Sequence, residues 1–301
     1  MLSFLPGPVK GALLLLLYTL NTLFWFALIF PVGMAKLLVP VGRWRLWCSL
    51  VLKRMAAGWV AVNRISTRLV NRVEWDVQGL EGLDKDQWYL VLANHQSWTD
   101  ILVLQTVFYG RIPFLKFFLK KNLIYMPFLG FAWWALDFPF MRRYSQAFLQ
   151  KHPHLAGKDL ETTKLACRKF RKMPVSVMNF VEGTRFTPAK HARQESPHAN
   201  LLRPKAGGVA FTLAAMQGSL NRIVNVTIAY PSGKTGLWDF VCGRVTPIVV
   251  RVSTIPITSE LCGDYFADER FRENFQDWLN GLWTEKDREI RCIKEGFRPR
   301  G

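Results

Sequence analysis

The sequence predicts an α/β fold in which a mixed or largely parallel sheet is flanked by helices. From Trp75 onward, apolar runs of strand length alternate with helical segments, an alternation typical of layered α/β domains. The chain before this point instead carries a long apolar segment and then a basic, aromatic-rich stretch. We therefore expect two regions, a membrane-anchoring helical region over residues 1–73 and an α/β domain over residues 74–301.

The N-terminal part contains an uncharged segment over residues 11–35. Its 25 residues are enough to span the hydrocarbon core of a bilayer as a tilted helix, and they exceed the apolar run of a signal peptide. Pro31 near the end of the segment leaves a second option, a hydrophobic helix that bends and stays in one leaflet. Basic residues crowd the following flank, so the positive-inside rule predicts that this flank faces the cytoplasm.

Charge is distributed unevenly along the chain. The formal net charge is +18, and no Asp or Glu occurs before Glu74. The same stretch holds nine basic residues, which are Lys10, Lys36, Arg43, Arg45, Lys53, Arg54, Arg64, Arg68 and Arg72. Such asymmetry indicates an anionic partner, and the aromatic and apolar surroundings favour membrane phospholipid. No nucleic-acid-binding signature accompanies the charge, so we expect no nucleic acid as a partner.

Residues 43–72 combine tryptophans and aliphatic side chains with arginine and lysine. This mixture predicts a basic amphipathic helix that lies on an anionic membrane face. The alternative is an ordinary helix packed on the α/β domain, and different faces of one helix could satisfy both.

The five cysteines are scattered along the chain, and none forms a C-x-x-C pair. Their odd number and spacing predict reduced thiols in a cytosol-facing protein, not a disulfide framework. No His and Cys spacing suits zinc, so we expect no metal site.

The α/β domain should contain several strands that alternate with helices. Predicted strands are residues 88–93, 175–181, 223–230 and 247–252. Predicted helices are residues 99–109, 207–216 and 271–290. Residues 184–200 are polar, so we expect a long loop there, and loops of that length are often functional.

The first of two short motifs covers residues 94–100 and holds His95 and Asp100 five positions apart. Ligand sites in open α/β sheets gather at the carboxyl ends of strands, and a histidine there can meet a carboxylate in the first turn of the next helix. Asp100 would then accept Nδ1–H and leave Nε2 free as a general base. Alternatively, Ser97 and Asp100 form a helix capping box, S-x-x-D, with no catalytic role.

The second motif, Glu182-Gly183-Thr184-Arg185, also follows a predicted strand. Gly183 permits a tight turn, while Thr184 and Arg185 offer a hydroxyl and a bidentate fork that suit phosphate. Lys205 precedes a predicted helix start, where anions are favoured. The alternative is a strand-to-loop turn with solvated charges. The sequence has no G-x-S-x-G nucleophile elbow, so a covalent serine mechanism is not indicated.

Together, the two motifs resemble those of the glycerophospholipid acyltransferase family, typified by bacterial 1-acylglycerol-3-phosphate acyltransferase. The family's N-H-x4-D motif matches Asn94, His95 and Asp100, and its E-G-T-R motif matches residues 182–185. In this order and at this spacing the two motifs are quite specific. The extended run over residues 182–205 is similar to the branch that contains lysocardiolipin acyltransferases.

Two further family motifs are matched more loosely. The F-I-x-R motif is similar to residues 140–143, which places Arg143 at the family's arginine. The fourth, apolar motif is similar to residues 223–227, where Asn225 stands in place of the proline of many members.

The resemblance implies that residues 74–301 are an acyltransferase catalytic domain that works without a metal or cofactor. His95, oriented by Asp100, would deprotonate the sn-2 hydroxyl of 1-acylglycerol-3-phosphate or a closely related lysophospholipid. The alkoxide would attack the thioester of acyl-CoA or acyl-carrier protein, and hydrogen-bond donors would stabilise the oxyanion. The residues implied to hold or orient the acceptor are Arg143, Glu182, Gly183, Thr184, Arg185 and Lys205. The resemblance also implies a bacterial inner-membrane protein whose catalytic domain faces the cytoplasm.

Two alternatives stay open. An acyltransferase for lysocardiolipin or another lysolipid would use the same dyad, although the intact E-G-T-R motif favours a glycerol-phosphate acceptor. A non-catalytic membrane-associated scaffold would bind lipid or protein through its basic face and would not need His95. Turnover with a thioester separates an enzyme from such a scaffold.

Overall fold

The computed structural model describes residue 2 and residues 4–141, 170 and 173–297. Its α-helices are α1 (Gly7–Leu38), α2 (Gly42–Val70), α3 (Thr99–Phe108), α4 (Leu129–Ala135), α5 (Pro188–Gln194), α6 (Ala206–Ala215), α7 (Leu237–Val241) and α8 (Glu269–Gly296). Its strands are β1 (Trp75–Gln78), β2 (Tyr89–Ala93), β3 (Leu115–Phe117), β4 (Leu119–Lys120), β5 (Phe140–Met141), β6 (Ser176–Phe180), β7 (Arg222–Ala229) and β8 (Ile248–Pro256). Short 3-10 helices cover Lys121–Tyr125 and Ser259–Leu261.

The first two helices pack against each other as a hairpin. The hydroxyls of Tyr18 and Thr67 lie 2.6 Å apart, and Nδ2 of Asn21 donates to Oδ1 of Asn63 at 2.9 Å. These partners run in opposite order along the two helices, so the helices are antiparallel. Both asparagines are buried, and their mutual hydrogen bond removes the cost of placing amide groups between apolar helices.

Helix α1 is long and apolar enough to cross a membrane by length and composition, with a mean hydropathy of 2.1 over its most apolar stretch. Only 17% of that stretch is buried inside the protein, whereas the core helix of a soluble protein is mostly buried. The exposed apolar side chains include Leu15, Leu16, Leu20, Leu23, Phe24, Leu28 and Phe30. An apolar surface of this extent indicates association with a membrane.

Helix α2 has one packed face and one exposed face. Its buried residues are spaced three or four apart and are Cys48, Leu52, Ala56, Val60, Asn63, Ser66 and Val70, so they form a single stripe. The other face exposes Trp47, Ile65 and Leu69 beside basic residues. One face of α2 is therefore packed against the rest of the protein, as the second interpretation predicts. The opposite face carries the exposed apolar and basic side chains that the membrane-surface interpretation requires.

Within the described residues, the main sheet has six strands in the order β1-β8-β7-β2-β6-β3. Strands β7, β2, β6 and β3 are parallel to one another, β8 is antiparallel to β7, and β1 is parallel to β8. Strands β4 and β5 form a separate parallel pair. The mixed, largely parallel sheet with flanking helices confirms the predicted fold class.

Strand β2 lies at the centre of the core, and all five of its residues are buried. Successive side chains of a strand point to opposite faces. Val91 belongs to the same core as Leu104 of α3, and Leu92 belongs to the same core as Trp283 of α8. Helices therefore cover both faces, which explains why β2 is continuously apolar instead of alternating.

The expectation of a long loop over residues 184–200 is wrong in part, because this segment contains α5. Pro188 opens the helix, where its fixed φ and missing N–H cost nothing, and Oγ1 of Thr187 accepts the backbone N–H of Lys190 at 3.3 Å. The C-terminal helix is also longer than the predicted 271–290. It begins earlier because Oδ1 of Asp268 caps it by accepting the backbone N–H of Phe271 at 3.0 Å.

Candidate active site

The carboxyl ends of β2, β6 and β7 meet at one edge of the sheet. Ala93 at the end of β2 pairs with Phe180 of β6 and with Val226 of β7. The first motif follows β2, the second follows β6, and Tyr230 directly follows β7. Parallel pairing thus brings residues far apart in sequence to the edge where α/β sheets bind ligands.

His95 and Asp100 form the pair that the sequence predicts. Nδ1 of His95 lies 2.8 Å from Oδ2 of Asp100, and the Asp100 side chain is fully buried while that of His95 is 13% exposed. A buried carboxylate at Nδ1 favours the tautomer that carries its proton on that atom. Nε2 is left as the acceptor, and it makes no hydrogen bond to the part of the chain that the structure describes.

Asp100 accepts hydrogen bonds from four groups. Oδ2 takes the His95 ring together with the backbone N–H groups of Gln96 at 2.6 Å and Ser97 at 2.8 Å, and Oδ1 takes the hydroxyl of Tyr230 at 2.6 Å. Burial raises the pKa of the Tyr230 hydroxyl well above its usual value, and the Asp100 charge adds to the rise. The phenol therefore stays protonated and donates to the carboxylate.

The contacts of Asp100 match the capping-box interpretation only in part. Its bond from the Ser97 N–H is the carboxylate half of a capping box. The other half is absent, because Oγ of Ser97 accepts the backbone N–H of Thr99 at 3.2 Å instead of that of Asp100. Asp100 therefore combines two roles in the structure, since it ties down the start of α3 and holds the imidazole.

The strand ends are joined by Asn94. Its Nδ2 donates to the carbonyl of Ile228 at 2.9 Å, and its Oδ1 accepts the N–H of the same residue at 2.8 Å. The side-chain amide thus replaces a peptide group in the ladder between β2 and β7. Nε2 of Gln96 donates to the same carbonyl at 3.1 Å. The asparagine of the first motif therefore has a structural role at the base of the site.

Glu182 is fully buried and bridges two backbone segments. Oε1 accepts the N–H of His95 and Oε2 accepts the N–H of Leu202, both at 2.9 Å. Burial raises the pKa of this carboxyl to about 7, opposed by the two N–H groups and by Lys286 and reinforced by Asp100. The carboxylate fixes the position of the histidine backbone relative to the loop that precedes α6.

The imidazole of His95 is supported from one side by an aromatic ring. Its centroid lies 3.8 Å from that of Phe180, and the two planes differ by 11°. The carbonyl of His95 also accepts the N–H of Phe186 at 2.7 Å. The ring plane and the backbone of the histidine are therefore both held by the segment that contains the second motif.

Basic side chains surround the turn at Gly183. This glycine has φ of +69°, and a Cβ at this position would lie 3.3 Å from Cδ of Lys205 and 3.6 Å from its Nζ. The Lys205 side chain therefore passes directly over this position. Both the positive φ and the lack of space for a Cβ favour glycine here. On the same turn, Nζ of Lys190 donates to Oγ1 of Thr184 at 2.8 Å.

Arg185 connects the two motifs. Its Cζ lies 4.9 Å from the ring centroid of Trp98, which is the N-terminal flank of α3. A guanidinium over an indole face is held in place by a cation–π attraction. The positive charge of the second motif is thereby held against the residue that precedes α3.

Two neighbouring residues of α8 hydrogen-bond to backbone segments that lead to the site. Nζ of Lys286, which is buried, donates to the carbonyl of Val226 at 2.6 Å, and burial lowers the pKa of this amine to about 7. The carboxylate of Asp287 accepts the N–H groups of Ala199 at 3.1 Å and Asn200 at 2.7 Å. The C-terminal helix thus anchors both β7 and the segment that leads to Leu202.

Seven predicted site residues are brought together here: His95, Asp100, Glu182, Gly183, Thr184, Arg185 and Lys205. Arg143 lies outside the residues that the structure describes. The sequence prediction missed Tyr230, Lys190 and Lys286. Lys286 had one usable signal, a charged residue at an apolar position of an amphipathic helix, between Trp283 and Ile290.

Within the described ranges, no group of three or more His, Cys, Asp or Glu residues could hold a metal ion. The expectation of chemistry without a metal or cofactor stays a prediction.

Comparison with known proteins places this arrangement in a family. A family model described as Acyltransferase matches residues 74–230, just over half of the chain. The human 1-acyl-sn-glycerol-3-phosphate acyltransferase gamma is 24% identical over 258 residues, which cover 78% of this chain and 62% of that protein. The Saccharomyces cerevisiae 1-acyl-sn-glycerol-3-phosphate acyltransferase is 28% identical over 242 residues, which cover 78% of this chain and 70% of that protein. The chain therefore spans about three fifths of the length of the human relative.

A solved structure shares the fold. The crystal structure of the 1-acyl-sn-glycerophosphate (LPA) acyltransferase PlsC from Thermotoga maritima matches with a TM-score of 0.57 at 16% identity, over 97% of each chain. On the family match, which covers both motifs and the strand ends that carry them, the chain belongs to the Acyltransferase family.

Proposed function

We propose that the chain transfers a fatty acyl group from acyl-CoA or acyl-carrier protein to the sn-2 hydroxyl of 1-acylglycerol-3-phosphate or a closely related lysophospholipid. The observation that carries this proposal is the 2.8 Å contact between Nδ1 of His95 and Oδ2 of Asp100 at the ligand-binding edge of the sheet. Family membership supports the reaction class, and the names of the relatives support the acceptor.

The reaction begins when Nε2 of His95 takes the proton of the acceptor hydroxyl. The alkoxide oxygen attacks the thioester carbonyl carbon, which forms the new C–O bond and a tetrahedral oxyanion. Collapse of this intermediate breaks the C–S bond, and the imidazolium returns its proton to the departing thiolate. Asp100 stabilises the imidazolium because its buried carboxylate accepts Nδ1–H throughout.

The acceptor phosphate binds to the basic side chains of the second motif. Arg185 offers a planar fork for two phosphate oxygens, and Lys205 adds a second positive charge next to Gly183. Thr184 contributes a hydroxyl, and Arg143 joins the set on the strength of its family motif. Glu182 acts through the backbone, because both of its oxygens accept N–H groups.

The proposed location is the bacterial inner membrane, with the α/β domain in the cytoplasm. The basic residues that follow α1 support this orientation through the positive-inside rule. Both ends of α1 contact the α/β domain: a Cβ on Gly11 would meet Cys242 and Trp238, and Lys36 pairs with Asp137. A helix held at both ends by one domain favours insertion into a single leaflet over a complete span.

Mass spectrometry of the lipids formed by the purified full-length chain tests the function. The chain is incubated with a panel of lysophospholipids, each with acyl-CoA and separately with acyl-carrier protein. We expect conversion of 1-acylglycerol-3-phosphate to the diacyl product. Conversion of lysocardiolipin alone would favour the alternative acceptor, and no product from any pair would favour the scaffold.

A further inference from the structure

A groove of about 720 Å³ lies between α2 and the α/β domain, away from His95. One wall carries Arg64 and Arg68 of α2 together with Arg72, which lies just beyond the end of that helix, and Arg111 borders the groove after the end of α3. The floor is apolar and includes Trp75, Val77, Leu80 and Val107. The groove thus combines a basic wall with an apolar floor.

The basic wall has no counter-charge among the groove residues. Arg64 and Arg68 are four residues apart on α2, so they share one helix face, where like charges repel. Arg72 adds a third cation two residues beyond the end of the helix at Val70. No Asp or Glu belongs to the described lining of the groove, and the carboxylate of Asp76 is bound by Arg251. Such a site is most stable with an anion in place.

One of these cations is already held in position. Cζ of Arg64 lies 4.8 Å from the ring centroid of Tyr109, and both residues line the groove. The guanidinium therefore loses little side-chain freedom when it binds an anion, because the cation–π contact has restricted it beforehand.

The apolar floor selects among anions. A bare phosphate would satisfy the arginines and leave the floor in contact with water, whereas an acyl chain would cover it. On α2, the exposed Ile65 and Leu69 stand next to Arg64 and Arg68, and they belong to the surface that we place against the bilayer. A lipid can therefore enter the groove sideways from the membrane.

We propose that this groove binds one anionic phospholipid of the surrounding membrane. The phosphate contacts Arg64, Arg68 and Arg111, and an acyl chain lies along Trp75 and Leu80. The bound lipid joins the helical hairpin to the α/β domain and neutralises the arginines that line the groove.

The groove is separate from the proposed acyl-transfer site. Tyr109 lies nine residues beyond Asp100 on α3 and its C-terminal flank, roughly 14 Å away at 1.5 Å per residue. Strand β1 runs opposite to β2, so Leu80 after its end lies toward the other edge of the sheet. Lipid binding is measured without turnover, so an inactive chain would leave this proposal intact.

Photolabelling of the full chain in neutral detergent micelles tests the proposal. The probe is phosphatidylglycerol with a diazirine in one acyl chain, and adducts are mapped by mass spectrometry of peptides. We expect adducts within residues 61–80 and 106–111, which unlabelled phosphatidylglycerol suppresses and phosphatidylcholine does not. The triple variant Arg64→Gln, Arg68→Gln, Arg111→Gln should lose labelling there by about tenfold or more, since each near-surface cation contributes to anionic lipid attraction.

The matched control removes three exposed arginines elsewhere, as Arg222→Gln, Arg270→Gln and Arg288→Gln, and should label like the wild type. Thermal unfolding tests whether both triple variants are folded. If the groove triple variant does not fold, the single variant Arg111→Gln replaces it, because Arg111 lies outside the helices.

Four results would overturn the proposal. Equal suppression by phosphatidylcholine would mean a nonselective apolar surface. Suppression by inorganic phosphate alone would mean an anion pocket without a lipid. Suppression by acyl-CoA or acyl-carrier protein but not by phosphatidylglycerol would assign the groove to the donor. Unchanged labelling of the folded arginine variants would remove the basis of the proposal.

Discussion

Oε1 of Glu182 accepts the backbone N–H of His95 at 2.9 Å, although 87 residues separate the two in sequence. The second oxygen of the same carboxylate accepts the N–H of Leu202. The glutamate of the E-G-T-R motif therefore sets the distance between the proposed base and the basic loop. This contact holds the backbones of the two motifs together.

Replacing Asp100 should reduce both rate and stability. In the Asp100→Asn variant the amide nitrogen cannot accept hydrogen bonds, so the three donors that meet at Oδ2 lose an acceptor or compete for the remaining oxygen. We expect acyl transfer to fall by roughly 10²-fold or more, together with a lower melting temperature.

Tyr230→Phe is the control for this variant, since it removes only the donor to Oδ1. It should lower stability by about 1–3 kcal/mol, because one buried acceptor loses its partner, with less than about tenfold loss of rate. An Asp100→Asn protein with near wild-type turnover and a lower melting temperature would reduce Asp100 to its capping role.

Arg185→Lys should weaken acceptor binding selectively. Lysine keeps the charge but loses the planar fork and the stacking on Trp98. The KM for the lysophospholipid should rise more than the KM for the thioester. Arg193→Lys, at an exposed arginine of α5, is the matched control. Equal increases in both KM values, or none, would count against phosphate recognition by this residue.

Membrane attachment should survive a high-salt wash, because α1 holds the chain by apolar burial and not by charge alone. Topology can be read from Cys262 and Cys292, which are exposed, whereas Cys242 is buried and unsuited to labelling. A membrane-impermeant maleimide should label them in inverted vesicles and not in intact spheroplasts. Release by salt, or labelling from outside, would overturn the proposed topology.

Lys286 should make stability depend on pH. Burial lowers its pKa to about 7 from the ordinary value of 10.5, so between these values the unfolded chain carries a proton that the folded chain has released. Its contribution to the free energy of unfolding therefore rises with pH across this window and is lost as pH falls through about 7. The melting temperature of Lys286→Met should fall progressively behind that of the wild type from pH 7 to about 10.

Lys234→Met, at an exposed lysine, is the control for the loss of one amine. A melting-temperature difference between wild type and Lys286→Met that does not change over this window would show that the amine is not held in its neutral form.

The parts of the structure that the sequence predicts are those with local signals. The apolar run of β2 and the helical pattern of α3 place His95 and Asp100 at a strand end and a helix start, and their contact follows. Gly183 after a second apolar run predicts a turn in the same way. Parallel strands then need only be neighbours for the two motifs to meet.

The parts that the sequence did not predict depend on tertiary contacts. Tyr230 ends a predicted strand, but its role depends on which strand lies next to β2. Lys286 is a lysine in a charged helix by sequence, and only packing against β7 shows that it is buried. The hairpin of α1 and α2 likewise comes from contacts such as Asn21 with Asn63, which no periodicity reveals.

The most direct test compares wild type and His95→Ala in the transfer of a defined acyl chain from a thioester to 1-acylglycerol-3-phosphate, measured as diacyl product by mass spectrometry. We expect the variant to keep the wild-type melting temperature within a few degrees. Among the described residues the His95 side chain hydrogen-bonds only to Asp100, and Oδ2 of Asp100 keeps the backbone N–H groups of Gln96 and Ser97. We expect the rate to fall by roughly 10²–10⁴-fold, the contribution of a positioned general base. A folded His95→Ala protein that forms product at the wild-type rate would rule out His95 as the general base.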